Sequence, residues 1–125
     1  VGSDIPHEVA HSALEKARGA MLSKQIEARG ITNERVISAM SEIPRHLFVN
    51  PDNPAQAYAD KALDIGFNQT ISQPYIVALM SSLLADLPVG SRILEIGAGS
   101  GYQTAVLVHM GFEVHSMELI PQLRQ

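Results

Sequence analysis

Three groups of residues have types and spacings that could do chemistry. The first is Gly97-Ala98-Gly99-Ser100-Gly101, which follows the apolar run Ile93-Leu94-Glu95-Ile96 at once. Glycines between a strand and a helix let the backbone approach a ligand with no Cβ in the way, and N–H groups there attract electron-rich groups. A dinucleotide fingerprint would place its third glycine one position later, where Tyr102 stands. No P-loop lysine follows the glycines, which counts against a nucleotide hydrolase. A tight turn holding no ligand is the plain alternative. The second group is Glu118 alone, at the end of the next strand, where a carboxylate can accept hydrogen bonds from both hydroxyls of a ribose. Taken by itself it would be an ordinary solvated charge.

The third group is Gln69-Thr70-Ile71-Ser72-Gln73-Pro74-Tyr75. Thr70 and Ser72 carry hydroxyls just ahead of a helix whose unpaired N–H groups and positive dipole end favour an anion. Ser72 could also be a plain N-cap, and the two roles are compatible. Of the five histidines only His7 and His11 have an i, i+4 spacing, and two ligands make a poor zinc site, so no metal is expected. Arg45, in Pro44-Arg45-His46, suits a pair with a carboxylate or a buried structural salt bridge. Tyr58 and Asp60 take no role from spacing.

These groups need elements to position them. Ser3 or Asp4 can cap a helix that tolerates Pro6 and runs to about Gly30, with Ala10, Leu14, Ala17, Met21, Leu22 and Ile26 as its apolar stripe. Gly19 weakens its middle and could divide it in two. Thr32 or Asn33 caps a second helix through Val36, Ile37, Met40 and Ile43, which Pro44 stops. Residues 45–65 read as irregular, because Pro51 and Pro54 oppose a regular element and Leu47-Phe48-Val49 could pair only as a short edge. Pro74 opens a third helix with Ile76, Met80, Leu83, Leu84 and Leu87 as its expected core face, broken at Pro88-Val89-Gly90. Then come a strand, the glycine loop, a helix over Tyr102–Met110 ended by Gly111, and a strand over Glu113–Met117. A crossover of this kind makes the two strands parallel. Pro121 would begin a further helix.

The sequence therefore predicts an α/β fold: N-terminal helices followed by the first β-α-β unit of a Rossmann-like, doubly wound sheet. Two parallel strands cannot be covered on both faces as such sheets require, so the domain is expected to be truncated here, or completed by another chain. Residues 1–90 form a helical segment with a substrate-side loop, and residues 91–125 the start of the cofactor-binding part. Composition narrows the function. Hydrophobic residues are 46% and charged ones 18% of the 125, an ordinary globular balance, and the net charge of −4 gives no field for nucleic acid. There is no cysteine, which fits a reducing cytoplasm. No secretory leader is evident in 1–7, and the uncharged stretch Ile65–Ala85 carries too many polar residues to span a membrane.

The glycine loop matches the one with which Rossmann-like methyltransferases hold S-adenosylmethionine. A larger set of residues resembles one family among them. Gln25-Ile26-x-x-Arg29-Gly30-Ile31, Val36-Ile37-x-Ala39-Met40, Ile43-Pro44-Arg45-His46-x-Phe48-Val49, Ala57-Tyr58-x-Asp60, Gln69–Ala78 and Leu94–Tyr102 resemble protein-L-isoaspartate O-methyltransferase. The resemblance runs from about Met21 to Leu119. Asp64 and Asn68 depart from it, where Pro and Gly are usual. It implies methyl transfer from S-adenosylmethionine, leaving S-adenosylhomocysteine, to the free α-carboxylate of isoaspartyl residues in damaged proteins. It also implies that Ser72 and Thr70 are the catalytic residues, that Glu95, Gly97, Gly99 and Gly101 bind the methionine side of the cofactor, that Glu118 binds its ribose, and that Gln69 is a further cofactor-binding residue. A methyltransferase with another acceptor, or a non-catalytic piece that self-associates through its unfinished sheet, are the alternatives.

Overall fold

The computed structural model describes residues 7–49 and 56–118. Expectations resting on Ser3, Asp4, Pro6, Pro51, Pro54 and Pro121 lie outside the described residues. Helix α1 spans His7–Met21 and passes through Gly19 without a break. The winding changes later, to a π-type turn over Leu22–Ile26 and a 3-10 turn over Glu27–Arg29. The wider turn puts Met21 and Ile26, five residues apart, into the core together. Gly30 at φ 94° closes the run, with the Ile31 N–H donating to the Ile26 carbonyl at 3.2 Å.

Helix α2, Glu34–Glu42, starts where Asn33 accepts from the N–H groups of Arg35 and Val36 at 2.9 and 3.3 Å. Pro44 ends it, and Arg45–Phe48 then forms a 3-10 turn rather than the short edge strand considered from sequence. The largest revision concerns residues 63–71. Strand β1, Leu63–Gly66, pairs antiparallel with β2, Gln69–Ile71, in a hairpin that the irregular reading of 45–65 missed. Its link, Phe67-Asn68, carries none of the usual Asn-Gly signal. Asn68 does take the positive φ, 57°, expected of a residue replacing glycine.

Helix α3, Pro74–Leu84, also differs from expectation. Its buried face is Pro74, Val77, Ala78 and Ser81, whereas Ile76, Met80 and Leu83 are exposed. The small residues face inward because α3 lies against α2 and α4, where backbones approach closely. Leu87, beyond the helix end, is also exposed. Strand β3, Arg92–Ile96, pairs in parallel with β4, Glu113–Met117, around helix α4, Tyr102–His109, as the crossover demands. Ile93 and Val114 pack on the core, while Leu94, Ile96 and Met117 on the opposite pleat are exposed. Arg35 ties the ends of α3 and α4 together, donating to the carbonyls of Ala85, Leu87 and Met110 at 2.7–3.1 Å. Among the described residues no helix is long and apolar enough to cross a membrane.

Candidate functional site

The glycine loop leaves β3 with Gly97, Gly99 and Gly101 at φ 76°, 58° and 86°. Any other residue would be strained at all three positions. A Cβ at Gly97 or Gly101 would meet no atom within 4 Å, so the loop borders open space rather than packed protein. Several of its N–H groups are already engaged. Gly97 and Ala98 donate to the Met117 carbonyl at 2.6 and 3.3 Å, and Gly101 donates to the Ala98 carbonyl at 3.0 Å. Gly99 donates to Glu118 Oε1 at 2.6 Å, which joins two of the sequence-predicted groups directly. The loop thus offers close approach and a fixed shape more than a row of free donors.

The hairpin and the loop meet across a cavity of about 550 Å³, whose walls include Gln69, Thr70, Ser72, Glu95, Gly97 and Gly99. This size is ordinary for a small-molecule pocket. Strand alternation explains the hydroxyl pair. Ile71 is buried at the end of β2, while Thr70 before it and Ser72 just beyond the strand are exposed. Ser72 is not the helix cap: that position belongs to Gln73, whose side chain makes no capping bond. Gln73 Nε2 donates instead to Asp60 Oδ1 at 2.7 Å, and Asp60 also takes a bidentate ion pair from Arg29. The Arg29 guanidinium, with help from Gln73, holds the Asp60 carboxyl below the usual carboxylate range. The same pairing raises Arg29, which also lies 5.4 Å over the Tyr75 ring.

Arg45 takes no carboxylate partner among the described residues, contrary to the pairing considered from sequence. It is fully buried, donating from Nε to the Ala57 carbonyl at 2.6 Å and from Nη2 to the Ser72 carbonyl at 2.8 Å. Its guanidinium lies 4.9 Å from the centre of the Tyr102 ring. Burial lowers Arg45 and pushes the Tyr102 phenol up to about 12. Arg45 therefore fixes the backbone of Ser72 from behind. His46 and Arg18 converge on the Tyr58 hydroxyl, His46 at 3.0 Å and Arg18 at 3.1 Å, and burial lowers His46.

Glu95 projects from β3 between two hydroxyls. Thr104 Oγ1 and Ser116 Oγ both donate to its Oε1, the latter at 2.7 Å. These orienting residues carry no motif signal, because a threonine inside a helix and a serine inside a strand are commonplace. Gly101 and Glu118 sit across the loop from Thr70 and Ser72, in a second concavity of about 1070 Å³ that also takes in Thr104 and Ser116. Gly99 belongs to both walls. Six of the eight predicted site residues therefore share one cavity, and the other two stand on the far side of the loop. His11, one of the two spaced histidines, pairs with Glu15 at 3.5 Å, and the described residues contain no group of three possible metal ligands.

A family model described as protein-L-isoaspartate(D-aspartate) O-methyltransferase matches residues 16–125. A protein-L-isoaspartate O-methyltransferase of Syntrophus aciditrophicus is 54% identical over 109 residues, covering 87% of this chain and 50% of the relative. One from Methanospirillum hungatei is 56% identical over 104 residues, covering 83% and 48%. The chain spans about half the length of the curated relatives it matches. Among solved structures, a Plasmodium falciparum protein assigned as the same methyltransferase, in complex with S-adenosyl-L-homocysteine, superposes with a TM-score of 0.70. It is 25% identical, and the match covers 88% of this chain and 50% of that one. A second protein-L-isoaspartate O-methyltransferase gives a TM-score of 0.67 at 30% identity, covering 87% and 35%.

Proposed function

This chain belongs to the protein-L-isoaspartate(D-aspartate) O-methyltransferase family, and on that premise we propose that its site serves protein repair. The reaction is methyl transfer from S-adenosylmethionine to the free α-carboxylate of L-isoaspartyl residues in damaged proteins. The observation that carries this reading is the shared cavity, whose walls hold Thr70 and Ser72 together with Glu95 and the glycine loop that follows it. The open space over Gly97 and Gly101 fits a ligand lying on the backbone. Glu95, Gly97, Gly99 and Gly101 would hold the methionine side of the cofactor and Glu118 its ribose, with Gln69 a further cofactor contact from the hairpin.

When bound, S-adenosylmethionine supplies a sulfonium methyl that passes to a carboxylate oxygen as its bond to sulfur breaks, leaving S-adenosylhomocysteine. The protein's own task is orientation. An α-carboxylate ordinarily titrates at roughly pH 3.5, so it is ionised at neutral pH and no general base is needed. Thr70 and Ser72 orient the carboxylate by hydrogen bonds, and exclusion of water sharpens its nucleophilicity. The resulting ester can cyclise to a succinimide that reopens as normal aspartate.

The functional division falls near residue 90, with the substrate-side loop before it and, Gln69 apart, the cofactor-binding residues after it. The absence of cysteine supports a reducing, cytoplasmic setting. The edge of β3, which pairs with β4 alone among the described residues, favours self-association as a second property. Light scattering would test that property, and a monomer at all concentrations would count against it. For the activity, Ser72→Ala should lower methyl transfer roughly 10- to 100-fold and leave the cofactor Kd within about twofold. Equal loss of both would remove Ser72 from catalysis.

A further inference from the structure

Phe67 and Asn68 link β1 to β2 across the Gly66–Gln69 pair, with φ values of 56° and 57°. Positive φ at both central positions is what a tight hairpin of this hand requires, and Asn-Gly satisfies it most easily. Asn68 tolerates that conformation, but a bulky residue such as Phe67 is a genuine outlier there. Packing gives little in return, since Phe67 remains 53% exposed. The register also slips between Asp64 and Gly66, leaving Ile65 as a bulge beside the turn. Bulges commonly re-aim a side chain next to a site, and backbone strain persists where function uses it.

The same hairpin delivers Thr70 and Ser72 to the cavity. At about 3.3 Å per residue, the turn stands roughly 10–15 Å from Ser72. An extended polypeptide with its acceptor carboxylate at Ser72 covers that distance in three or four residues. We infer that Phe67 is a specificity-determining contact, whose ring receives an apolar side chain three or four residues from the isoaspartyl linkage. This inference rests on the repair reading above.

The test uses the 125-residue chain and fluorescent Gly/Ser peptides with one isoaspartyl linkage, in which a single leucine is moved outward one position at a time. Binding by anisotropy should peak roughly tenfold when the leucine is three or four residues out. Phe67→Asn should flatten that profile while keeping the preference for isoaspartyl over aspartyl linkage. Because Asn fits the turn, the same variant should melt about 2–5 °C higher. Phe67→Leu should retain part of the peak. A flat profile in the parent chain, or an unchanged peak in Phe67→Asn, overturns the inference while the linkage preference still stands. Loss of discrimination between isoaspartyl and aspartyl peptides in the parent chain overturns the repair reading and this inference with it.

Discussion

Replacing Arg45 examines how the site is held in place. Its guanidinium is fully buried, yet it bonds to two backbone carbonyls, Ala57 and Ser72, and covers the Tyr102 ring. Hydrogen bonds from a charged donor contribute about 1.5–3 kcal/mol each, and a desolvated cation–π contact about 2 kcal/mol. Against these stands the cost of burying the charge, visible as the lowered Arg45 pKa. Arg45→Ala removes that cost but leaves the buried Ala57 carbonyl unpaired, the Ser72 carbonyl without its anchor, and a void over Tyr102. A net loss of about 3–5 kcal/mol follows, a large part of the stability of a domain this size. Arg45→Lys can reach one carbonyl at most and should lose about half as much. Urea unfolding at pH 7 measures both. A loss below about 1 kcal/mol in Arg45→Ala would refute the reasoning, since it would mean that the Ala57 and Ser72 segments hold their places unaided.

Three further perturbations follow from the same interactions. The Tyr102 phenol sits at about 12 when folded against an ordinary value of 10.0, so its contribution to stability is complete below pH 10 and is lost as pH rises through 12. Tyr102→Phe should abolish that alkaline loss, and because the buried hydroxyl finds no hydrogen-bond partner within reach among the described residues it should cost little at pH 7; urea midpoints from pH 8 to 12 would check this. Asp60 behaves oppositely. Its depressed pKa gives stability that is present above the unfolded value of about 3.9 and is lost as pH falls through the folded one, so Asp60→Asn should flatten the acid limb of the stability profile. Gly97→Ala, at φ 76° with space for its Cβ, should fold with a penalty of about 1 kcal/mol while weakening S-adenosylhomocysteine binding measured by calorimetry.

The sequence made the punctuated elements legible and left the unpunctuated ones obscure. Asn33 before α2, Pro44 after it, and the glycines flanking α4 mark ends that the backbone then respects. The parallel pairing of β3 with β4 followed from one crossover. The β1–β2 hairpin was hidden because Phe67-Asn68 is poor turn chemistry and three- or four-residue strands give too short an alternation. The α3 face was misjudged for a different reason. Hydrophobicity alone selects Ile76, Met80 and Leu83, but the contact with α2 and α4 selects size, and Ala78 and Ser81 are small. At the candidate site, Thr104 and Ser116 carried no motif, and Arg45 and Asp60, though inside quoted motifs, took no role from spacing because their partners are distant in sequence.

The most direct test of the central claim is methyl transfer by this chain from labelled S-adenosylmethionine to two peptides differing only in an aspartyl or isoaspartyl linkage. Base-labile label on the isoaspartyl peptide alone is the predicted result. Equal labelling of both peptides, or of neither, would contradict the account of Ser72, Thr70 and the glycine loop as a working repair site.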